Sequence, residues 1–385
     1  MKIAIIQDWL TLKGGAEAVL EQVMELFPQA DLFCIVDFLP EHERGFLKGR
    51  RITTSFIQRL PRARKSYRSY LPLMPIAIEQ LDVTGYDLVL SFSASVAKGV
   101  ITGPEQLHIC YTHSPIRYAW DLQHQYLAEA NMTRSIKGMV ARAILHYMRL
   151  WDIQSAHSTD HFIANSVFIA RRIRRLYGRE AAVIYPPVDV DRFAQSDDRD
   201  DVYVTVSRLV PYKRIPLIVE AFRRMPERRL VVIGDGPEMP AVRAAAGPNV
   251  TIMGKQPDDV VVAHLQRARA FLFAAEEDFG IAPVEAQACG TPVIAYGRGG
   301  ALETVRGEAG PGRSGLFFAE QSVDSIVDAV TRFEAIRETI TPAACRASAQ
   351  RFATDRFREA FARFVAEALA AHGATRIEER QRYLA

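Results

Sequence analysis

The sequence predicts an α/β protein built from two doubly wound parallel sheets, and three observations carry that prediction. Apolar runs of strand length alternate with helical patterns through residues 1–185. The same alternation starts again after residue 201 and continues to about residue 340. Residues 185–201 lie between these two stretches, are rich in Pro and Asp and have no periodicity, as is typical of a linker.

The apolar runs and the linker together give the expected domain boundaries. Strands are expected at residues 2–7, 32–36, 88–92, 109–112, 162–164, 183–185, 203–206, 230–233, 250–253, 271–274, 293–296 and 316–318. A chain of 385 residues is too long for one ordinary core. We expect an N-terminal domain over residues 1–186, a linker over 187–201, a C-terminal domain over 202–341, and a helical stretch with a charged tail over 342–385.

Composition excludes several other classes of protein. Hydrophobic residues at 49% and charged residues at 24% are globular values, so neither disorder nor a membrane span is expected. The first strand lacks the long apolar core and the cleavage site of a signal peptide. The four cysteines are widely separated and have no metal-type spacing: Cys34, Cys110, Cys289 and Cys345. Reduced thiols and a cytoplasmic location are expected.

Two carboxylates lie close to one predicted strand end in the second half. Glu277 follows the strand at 271–274, and the carboxyl ends of parallel strands are where open α/β sheets bind ligands. Pro283 suits the first position of the next helix, which would place Glu285 in its first turn. The alternative is that Glu285 only complements the helix dipole while residues 276–278 form a solvated turn.

Basic residues and glycines occupy other strand ends of the second half. Arg208 and Lys213 lie five positions apart on a strand-to-helix loop, where two cations are able to clamp a diphosphate, although each alone could be surface charge. Glycine turns follow further strands at residues 234–236 and at Gly254. Residues 298–300 (Arg-Gly-Gly) precede a predicted helix whose N-terminus suits phosphate.

The N-terminal half offers two weaker candidates. Gly14 and Gly15 follow the first strand, where adjacent glycines let backbone N–H groups approach an anion; an ordinary tight turn explains them equally well. His113 follows the strand at 109–112. A lone histidine is more often structural, but the strand-end position and the neighbouring Arg117, Tyr118 and Trp120 favour a functional role. These neighbours belong to one short segment, residues 113–121.

One stretch, residues 50–68, carries seven basic side chains and no acid. The basic residues are Arg50, Arg51, Arg59, Arg62, Arg64, Lys65 and Arg68, and the apolar residues between them are Phe56, Ile57, Leu60 and Tyr67. This mixture suits contact with an anionic membrane surface. A solvated basic loop is the alternative, and nucleic acid is not expected because no nucleic-acid-binding motif accompanies the charge.

Together these motifs resemble glycosyltransferase family 4. Glu277-x7-Glu285, with Phe279-Gly280 between and Ala-Cys-Gly-Thr-Pro behind at residues 288–292, resembles the donor-site signature of that family. Arg208 and Lys213 match its phosphate-binding pair. The segment from His113 to Trp120 resembles its acceptor-side histidine segment, in a subgroup rich in bacterial mannosyltransferases of surface polysaccharide assembly.

The resemblance implies the GT-B architecture, with two Rossmann-like domains facing across a cleft and a last helix crossing back to the first domain. It also implies a retaining transfer of a sugar from a nucleoside diphosphate sugar, with GDP-mannose preferred, to a saccharide acceptor on a lipid such as polyprenyl diphosphate. The enzyme would work at the inner face of the cytoplasmic membrane. No cofactor or metal is expected; Asp189 and Asp191 form an Asp-x-Asp pair, but they lie in the linker.

The resemblance also gives each residue a role. Arg208 and Lys213 would neutralise the leaving diphosphate, Glu285 would bind the ribose hydroxyls, and Glu277 would orient the sugar. His113 would contact the transferring sugar and support the developing charge or a proton transfer. Further donor contacts would come from Gly14, Gly15, Gly254, Phe279, Gly280 and Ile281, and acceptor contacts from Arg117, Tyr118 and Trp120. The alternatives are a UDP-sugar-dependent transferase of the same family, a nucleotide-sugar epimerase on the same fold, and a non-catalytic partner protein.

Overall fold

The computed structural model describes residues 1–384, with side chains described through residue 374. The chain divides into two compact units, one formed by Met1–Pro187 with Phe357–Ala385 and the other by Val188–Arg356. The tail side chains expected to be charged and frayed, at residues 375–385, lie outside the described residues. Each unit contains one parallel sheet with helices in the connections.

The first unit contains a seven-stranded sheet in the order β3-β2-β1-β4-β5-β6-β7. The strands are β1 (Ile3–Gln7), β2 (Asp31–Cys34), β3 (Ile52–Thr54), β4 (Leu88–Ser93), β5 (Leu107–Thr112), β6 (His161–Ala164) and β7 (Ala181–Val183). All neighbouring strands are parallel. Strand β3 lies inside the basic run 50–68, where no strand is expected from the sequence. It has three partly exposed residues and pairs on one side only, so it carries little apolar signal.

The helices of the first unit connect these strands and cover both faces of the sheet. They are α1 (Gly15–Leu26), α2 (Ala63–Ser66), α3 (Met74–Glu79), α4 (Gln123–Glu129), α5 (Ile136–Ala156) and α6 (Val167–Tyr177), with 3₁₀ turns at Glu41–Leu47, Phe56–Arg59, Tyr67–Leu73 and Ala97–Gly99. Along β1, Ile3 and Ile5 join the core that contains α1, whereas Ala4 and Ile6 join the core that contains Met148 of α5. Both faces of this strand are therefore buried, as expected for a parallel sheet.

The second unit repeats the arrangement with six parallel strands in the order β10-β9-β8-β11-β12-β13. They are β8 (Val202–Val206), β9 (Arg229–Ile233), β10 (Val250–Gly254), β11 (Phe271–Phe273), β12 (Val293–Tyr296) and β13 (Gly315–Phe318). The helices are α7 (Ile215–Arg223), α8 (Met239–Ala245), α9 (Asp258–Arg267), α10 (Ile281–Ala288), α11 (Ala301–Thr304), α12 (Val323–Ile336) and α13 (Pro342–Ala349). Short 3₁₀ turns lie at Val190–Arg192, Pro211–Lys213, Arg337–Thr339 and Gln350–Phe352.

Both sheets have the doubly wound, Rossmann-like topology that the sequence predicts. In each sheet the strand order reverses once, between β1 and β4 in the first unit and between β8 and β11 in the second. Ligands of open α/β sheets bind outside the carboxyl ends of the strands at such a reversal. A ligand site is therefore expected at the loops that follow these four strands.

The last helix, α14 (Thr354–Leu384), completes the core of the first unit. Phe357 and Phe361 are buried in that core, and the ring of Phe361 lies 6.3 Å from the ring of Phe92 on β4. Tyr111 on β5 contacts Phe357 in an edge-to-face arrangement at 6.1 Å. Across the described residues, no helix is long and apolar enough to cross a bilayer.

Replacing Phe361 by Ala should destabilise the first unit by about 3–5 kcal/mol, because it empties a site that is 99% buried and lined by aromatic rings. Chemical denaturation followed by tryptophan fluorescence measures this unit alone, since Trp9, Trp120 and Trp151 are the three tryptophans of the chain and all belong to it. The exposed neighbour Glu359 gives the control Glu359→Ala, expected to change stability by less than about 0.5 kcal/mol. Equal effects of the two substitutions would contradict the packing of α14.

Candidate functional site

Charged residues gather at the carboxyl edge of the second sheet, where β8 and β11 lie side by side. Arg208 and Lys213 lie in the loop between β8 and α7, and Glu277 lies in the loop between β11 and α10. Lys213 Nζ forms an ion pair with Glu277 Oε1. The side chain of Arg208 is exposed, and no ion pair of its guanidinium is found among the described residues. The topology thus brings together three of the residues that the sequence analysis selects.

The Lys213–Glu277 ion pair is largely shielded from solvent. The Lys213 side chain is 18% exposed and the Glu277 side chain is 15% exposed. Lys213 Nζ also lies 5.5 Å from the ring centre of Tyr212 and 5.9 Å from that of Phe273, so aromatic faces stabilise the cation as well. In such a position a charge interacts with a ligand more strongly than it would in open solvent.

Two glycines hold the loop that carries Glu277. Gly299 has a left-handed φ of 65°, and a Cβ atom there would lie 2.4 Å from the carbonyl oxygen of Glu277. Gly300 donates its N–H to the same oxygen at 2.8 Å, and a Cβ atom on it would lie 2.4 Å from Cα of Phe279. The sequence predicts that residues 298–300 precede a helix whose N-terminus binds phosphate, but this helix, α11, has only four residues. The two glycines instead permit a close backbone contact.

A second glycine turn supports the loop that carries Arg208. Gly234 and Gly236 follow β9, and a Cβ atom on either would lie within 2.4 Å of a backbone oxygen, that of Ser207 or Leu209. Leu209 donates its N–H to the oxygen of Asp235 at 3.0 Å. These glycines, a weak signal in the sequence, therefore fix the backbone on both sides of Arg208. Gly254 ends β10 with a φ of 70° on the same edge, two strands away from β8.

Helix α10 begins earlier than expected. Gly280 precedes the helix in a left-handed conformation with a φ of 89°, and Ile281 is the first helical residue. Pro283 is therefore the third residue, and Glu285 lies in the second turn, so the expectation that Glu285 occupies the first turn is wrong. Phe279 is buried against Phe352, with ring centres 5.2 Å apart, and this contact fixes the entry to the helix.

Glu285 faces the chain segment that enters the second unit. Burial raises the pKa of Glu285, the charge of Arg192 lowers it, and that of Asp258 raises it. Arg192 and Asp258 also form an ion pair with each other at 3.0 Å. A partly desolvated carboxylate is suited to accepting hydrogen bonds from neutral hydroxyl groups, because it has few water partners to lose.

The linker acids Asp189 and Asp191 have local partners. Asp189 Oδ1 accepts the N–H of Arg192 at 3.3 Å and so caps the turn Val190–Arg192. Asp191 Oδ1 lies 3.5 Å from Arg346 Nη2. Among the described side chains, no group of three or more His, Cys, Asp or Glu residues is arranged to hold a metal ion.

His113 lies at the carboxyl edge of the first sheet, directly after β5. Its N–H donates to the oxygen of Ser93 at 2.8 Å, and its carbonyl oxygen accepts the side-chain N–H of Asn165 at 2.9 Å. Burial lowers the pKa of His113 to about 4, so the imidazole is neutral at pH 7. Its Nε2 atom is buried and has no hydrogen-bond partner within the described part of the chain. A buried polar atom of this kind calls for a partner that the protein itself does not supply.

Gly14 and Gly15 form the start of α1 as expected. Gly14 is the N-cap residue and Gly15 the first helical residue. The N–H of Gly14 donates to Glu17 Oε2 at 3.0 Å, so a side chain of the same helix already accepts this hydrogen bond. Burial raises the pKa of Glu17 to about 7, which makes this carboxyl sensitive to charge near the helix N-terminus.

The segment from Arg117 to Trp120 is attached to buried polar groups behind it. Tyr118 Oη lies 2.9 Å from Ser95 Oγ, and Trp120 Nε1 donates to Asp152 Oδ2 at 2.7 Å. Arg117 is partly buried and accepts the N–H of Leu122 through its carbonyl oxygen. The segment is therefore held through two aromatic side chains.

Asp152 also forms a buried ion pair with Lys98, which the sequence analysis does not identify. Both residues are at least 99% buried, and Tyr177 Oη donates to both carboxylate oxygens of Asp152 at 3.0–3.1 Å. Lys98 Nζ lies 5.2 Å from the ring of Trp151. The one sequence signal is a lysine inside an otherwise apolar stretch after β4.

A further missed residue is Asp8, directly after β1. Its carboxylate is buried and accepts four backbone N–H groups, those of residues 94–97, at 2.6–2.9 Å. These hydrogen bonds fix the start of the segment that carries Ser95 and Lys98. Asp8 therefore connects the ends of β1 and β4 at the strand-order reversal of the first sheet.

The basic run 50–68 is only partly a surface feature. Ile57 and Tyr67 are buried in the core of the first unit, so the expectation that they contact a membrane is wrong. Arg50 donates to the oxygens of Met24 and Ala30 and is structural. The apolar residues of the run are needed to attach it to the sheet. Of the eleven basic and apolar residues named in this run, those that remain exposed are Arg51, Phe56, Arg59, Arg62, Arg64, Lys65 and Arg68, whereas Leu60 is partly buried against the core.

Two family models match consecutive parts of the chain. The model described as Glycosyltransferase Family 4 matches residues 13–192, and the model described as Glycosyl transferases group 1 matches residues 189–352. Together they span both units. The first covers His113 and the glycines at residues 14–15, and the second covers every candidate residue of the second unit.

Curated relatives match half of the chain. A GDP-mannose-dependent alpha-(1-6)-phosphatidylinositol monomannoside mannosyltransferase of Mycobacterium tuberculosis is 32% identical over 222 residues, 50% of this chain and 55% of the relative. A D-inositol 3-phosphate glycosyltransferase of Kribbella flavida is 32% identical over 231 residues, 51% and 54% of the two chains. The chain spans about half the length of these relatives.

Solved structures share the fold over almost the whole chain. The Anabaena protein HepE in complex with UDP has a TM-score of 0.68 at 19% identity and covers 95% of this chain and 100% of its own. Sucrose-phosphate synthase from Thermosynechococcus elongatus has a TM-score of 0.70 at 19% identity, with 96% and 100% covered. At this identity the likeness shows the fold alone, which is the GT-B arrangement of two Rossmann-like units.

Replacing Asp152 by Asn should destabilise the first unit by about 3–5 kcal/mol, because Lys98 then remains buried without a counter-charge. The double variant Lys98→Met/Asp152→Asn should cost less than the sum of the two single variants. Denaturation followed by tryptophan fluorescence measures all three. Glu180→Gln is the control, since it removes an exposed pair with Arg174 that contributes at most about 1 kcal/mol. Additive costs for Lys98 and Asp152 would contradict the coupling.

Acid should destabilise the first unit through His113. Its pKa is about 4 in the folded protein and about 6.5 in an unfolded chain, so the unfolded state binds the proton first as the pH falls. Between pH 7 and pH 4.5 the parent should lose about 2–3 kcal/mol more stability than His113→Gln. The exposed His42 gives the control His42→Gln, expected to follow the parent. Parallel pH profiles for parent and His113→Gln would show that His113 is not held neutral.

Proposed function

Because this chain belongs to glycosyltransferase family 4, we propose that it transfers a sugar from a nucleoside diphosphate sugar to an acceptor hydroxyl group, with retention at the anomeric carbon. The observation that carries the proposal is the cluster of Arg208, Lys213 and Glu277 at the strand-order reversal of the second sheet. A diphosphate needs cations, and a sugar needs hydrogen-bond acceptors for its hydroxyl groups. This edge supplies both within one group of loops.

The difficult step of the reaction is the departure of the nucleoside diphosphate. The bond from the anomeric carbon to the phosphate oxygen breaks, and a bond to the acceptor oxygen forms on the same face. The acceptor proton passes to the leaving phosphate oxygen. Arg208 and Lys213 would stabilise the negative charge that develops on the diphosphate, which is the largest contribution expected of such groups.

The positions of the other candidate residues in the second unit suggest which parts of the donor they would bind. Glu277 would accept hydrogen bonds from sugar hydroxyl groups, and the glycine-held loop with Phe279, Gly280 and Ile281 would fix its orientation. Glu285 would accept hydrogen bonds from the ribose hydroxyl groups. The pKa of Glu285 is raised because burial removes water from its carboxyl group. A ribose hydroxyl group bound there would lose water in the same way.

His113 is suited to hydrogen bonding rather than to carrying charge. A pKa of about 4 leaves the imidazole neutral at pH 7, so it would contribute a hydrogen bond from its unpartnered Nε2 atom to the transferring sugar. Arg117, Tyr118 and Trp120 would border the acceptor. This refines the more general role that the sequence suggests, in which His113 also supports developing charge.

We propose GDP-mannose as the donor and a lipid-linked saccharide as the acceptor, with the enzyme at the inner face of the cytoplasmic membrane. Support for the donor comes from the mycobacterial relative, whose name states dependence on GDP-mannose. The runner-up is a UDP-sugar, because HepE is known in complex with UDP and UDP-glucose. No metal is required in this proposal, since Arg208 and Lys213 would neutralise the charge of the diphosphate. EDTA should therefore leave the rate unchanged.

Removing either cation should slow transfer. Charge-assisted hydrogen bonds contribute about 1.5–3 kcal/mol each, so Arg208→Ala and Lys213→Ala should lower kcat/KM by roughly ten- to a hundredfold. Lys213→Ala also leaves Glu277 without its partner, so Lys213→Ala/Glu277→Gln separates the two effects. Arg224→Ala is the control, because Arg224 follows α7 at the opposite edge of the sheet. Parental rates in both cation variants would contradict the proposed clamp.

Binding of nucleotides is the most direct test of the function. GDP, UDP and ADP are added separately, and the preferred nucleotide should raise Tm most; GDP is expected, with a smaller rise in Glu285→Ala. The matching sugar nucleotide should then give a product one hexose heavier than the acceptor by mass spectrometry. A product formed without acceptor and with an altered sugar would indicate an epimerase, and binding without any turnover a non-catalytic partner protein.

A further inference from the structure

Helix α5 carries an apolar stripe that no other part of the described chain covers. Exposed side chains recur along its 21 residues at Ile136, Val140, Ala143, Tyr147 and Leu150. These positions are four, three, four and three residues apart, so they lie along one face of the helix. Ile136 is 77% exposed and Leu150 is 59% exposed. Met139 and Ile153 extend the exposed apolar surface.

The opposite face of α5 holds the helix to the first unit. Leu145, Met148 and Trp151 are buried in the core, and Trp151 Nε1 donates to Glu79 Oε1 on α3 at 2.7 Å. The stripe is therefore the outer side of a helix that is anchored by its inner side. Such an arrangement leaves a contiguous apolar surface in water, which a soluble protein rarely keeps without a partner.

The charge of α5 indicates which partner fits. From Ile136 to Trp151 the helix contains three cations, Lys137, Arg142 and Arg149, and no acid. The next residue, Asp152, is buried and paired with Lys98. Arg149 is partly buried and donates to the oxygen of Ala119 and to Gln123 Oε1, so it is structural. Lys137 is exposed, and Arg142 is partly exposed and donates to the oxygen of Thr133. A second copy of this helix would bring like charges together. An anionic membrane supplies both an apolar layer for the stripe and negative charge for the cations.

Neighbouring elements carry further exposed apolar residues. Helix α3 lies against α5 through Glu79 and adds exposed Leu73 and Ile76 at its start. The 3₁₀ turn Tyr67–Leu73 connects α3 to the exposed cations of the basic run. Ile57 and Tyr67 of the basic run are buried and unable to contact a membrane. Exposed apolar side chains are instead present on α3 and α5.

We propose that α5 lies in the interface of an anionic membrane, with Ile136, Val140, Tyr147 and Leu150 entering the boundary between headgroups and acyl chains. The basic run then contributes headgroup contacts beside it. This surface is distinct from the donor site of the second unit. It gives a membrane-bound acceptor a defined face of the first unit to meet, and in that respect it extends the proposed function. Membrane contact itself does not depend on sugar transfer.

A fluorescent probe at residue 140 tests insertion directly. All four native cysteines are buried and free, so Val140→Cys introduces one accessible thiol for a polarity-sensitive label. Vesicles with 30% phosphatidylserine should shift its emission to the blue, whereas vesicles of phosphatidylcholine alone should not. The control is Ile101→Cys, at a side chain that is 62% exposed outside α5, and its emission should stay unchanged. An unchanged spectrum at residue 140, or equal shifts with both vesicles, would overturn the proposal.

Removing the stripe should weaken binding without unfolding the protein. Ile136→Ser/Leu150→Ser should lower the partition coefficient for anionic vesicles at least about tenfold, because both side chains lose apolar surface. Ile101→Ser should leave it unchanged, and tryptophan fluorescence should report intact folding in both variants. If the parent is a dimer without lipid and Ile136→Ser/Leu150→Ser is a monomer, the stripe is an interface between copies and the proposal fails. Because neither donor nor acceptor is present, failure here leaves the transfer reaction standing.

Discussion

Close backbone contacts at two glycine turns determine where the charged residues of the second unit lie. Gly234 and Gly236 let the loop after β8 pack against the loop after β9, and Gly299 with Gly300 lets the loop after β11 pack against the loop after β12. Any side chain on these glycines would overlap a neighbouring backbone atom. The cation loop and the Glu277 loop are therefore each held from the side, so the Lys213–Glu277 pair forms on a rigid edge.

In the first unit, buried charged side chains hold the loops in place, as close glycine contacts do in the second unit. Asp8 holds the start of the segment after β4 through four backbone N–H groups, and Lys98 at its end pairs with Asp152 on α5. Trp120 donates to the same carboxylate, so the segment that follows His113 depends on this network. Buried ion pairs of this kind contribute little net stability, but they require their partners to lie in one particular arrangement. The segment after His113 is therefore fixed by buried polar groups of the first unit.

The sequence was sufficient to predict the sheets because buried parallel strands are short apolar runs, and all twelve predicted strands have an observed counterpart. Arg208, Lys213 and Glu277 were predictable because carboxyl ends of parallel strands share one edge. The position of Glu285 was not, since the left-handed conformation of Gly280 starts α10 two residues before Pro283. Burial of Ile57 and the Lys98–Asp152 pair depend on contacts between distant segments, which no local pattern records.

The position of α14 affects the order in which this protein is able to fold. Phe357 and Phe361 pack against β4 and β5, more than 240 residues earlier in the sequence. A ribosome therefore releases every strand of the first sheet long before the helix that completes its core, whereas the second unit has all its residues within one continuous segment. Contacts of such long sequence separation form slowly. During synthesis the second unit is thus able to finish folding first. Until the last helix has been made, Phe92 and Tyr111 lack their contacts with the rings of Phe361 and Phe357.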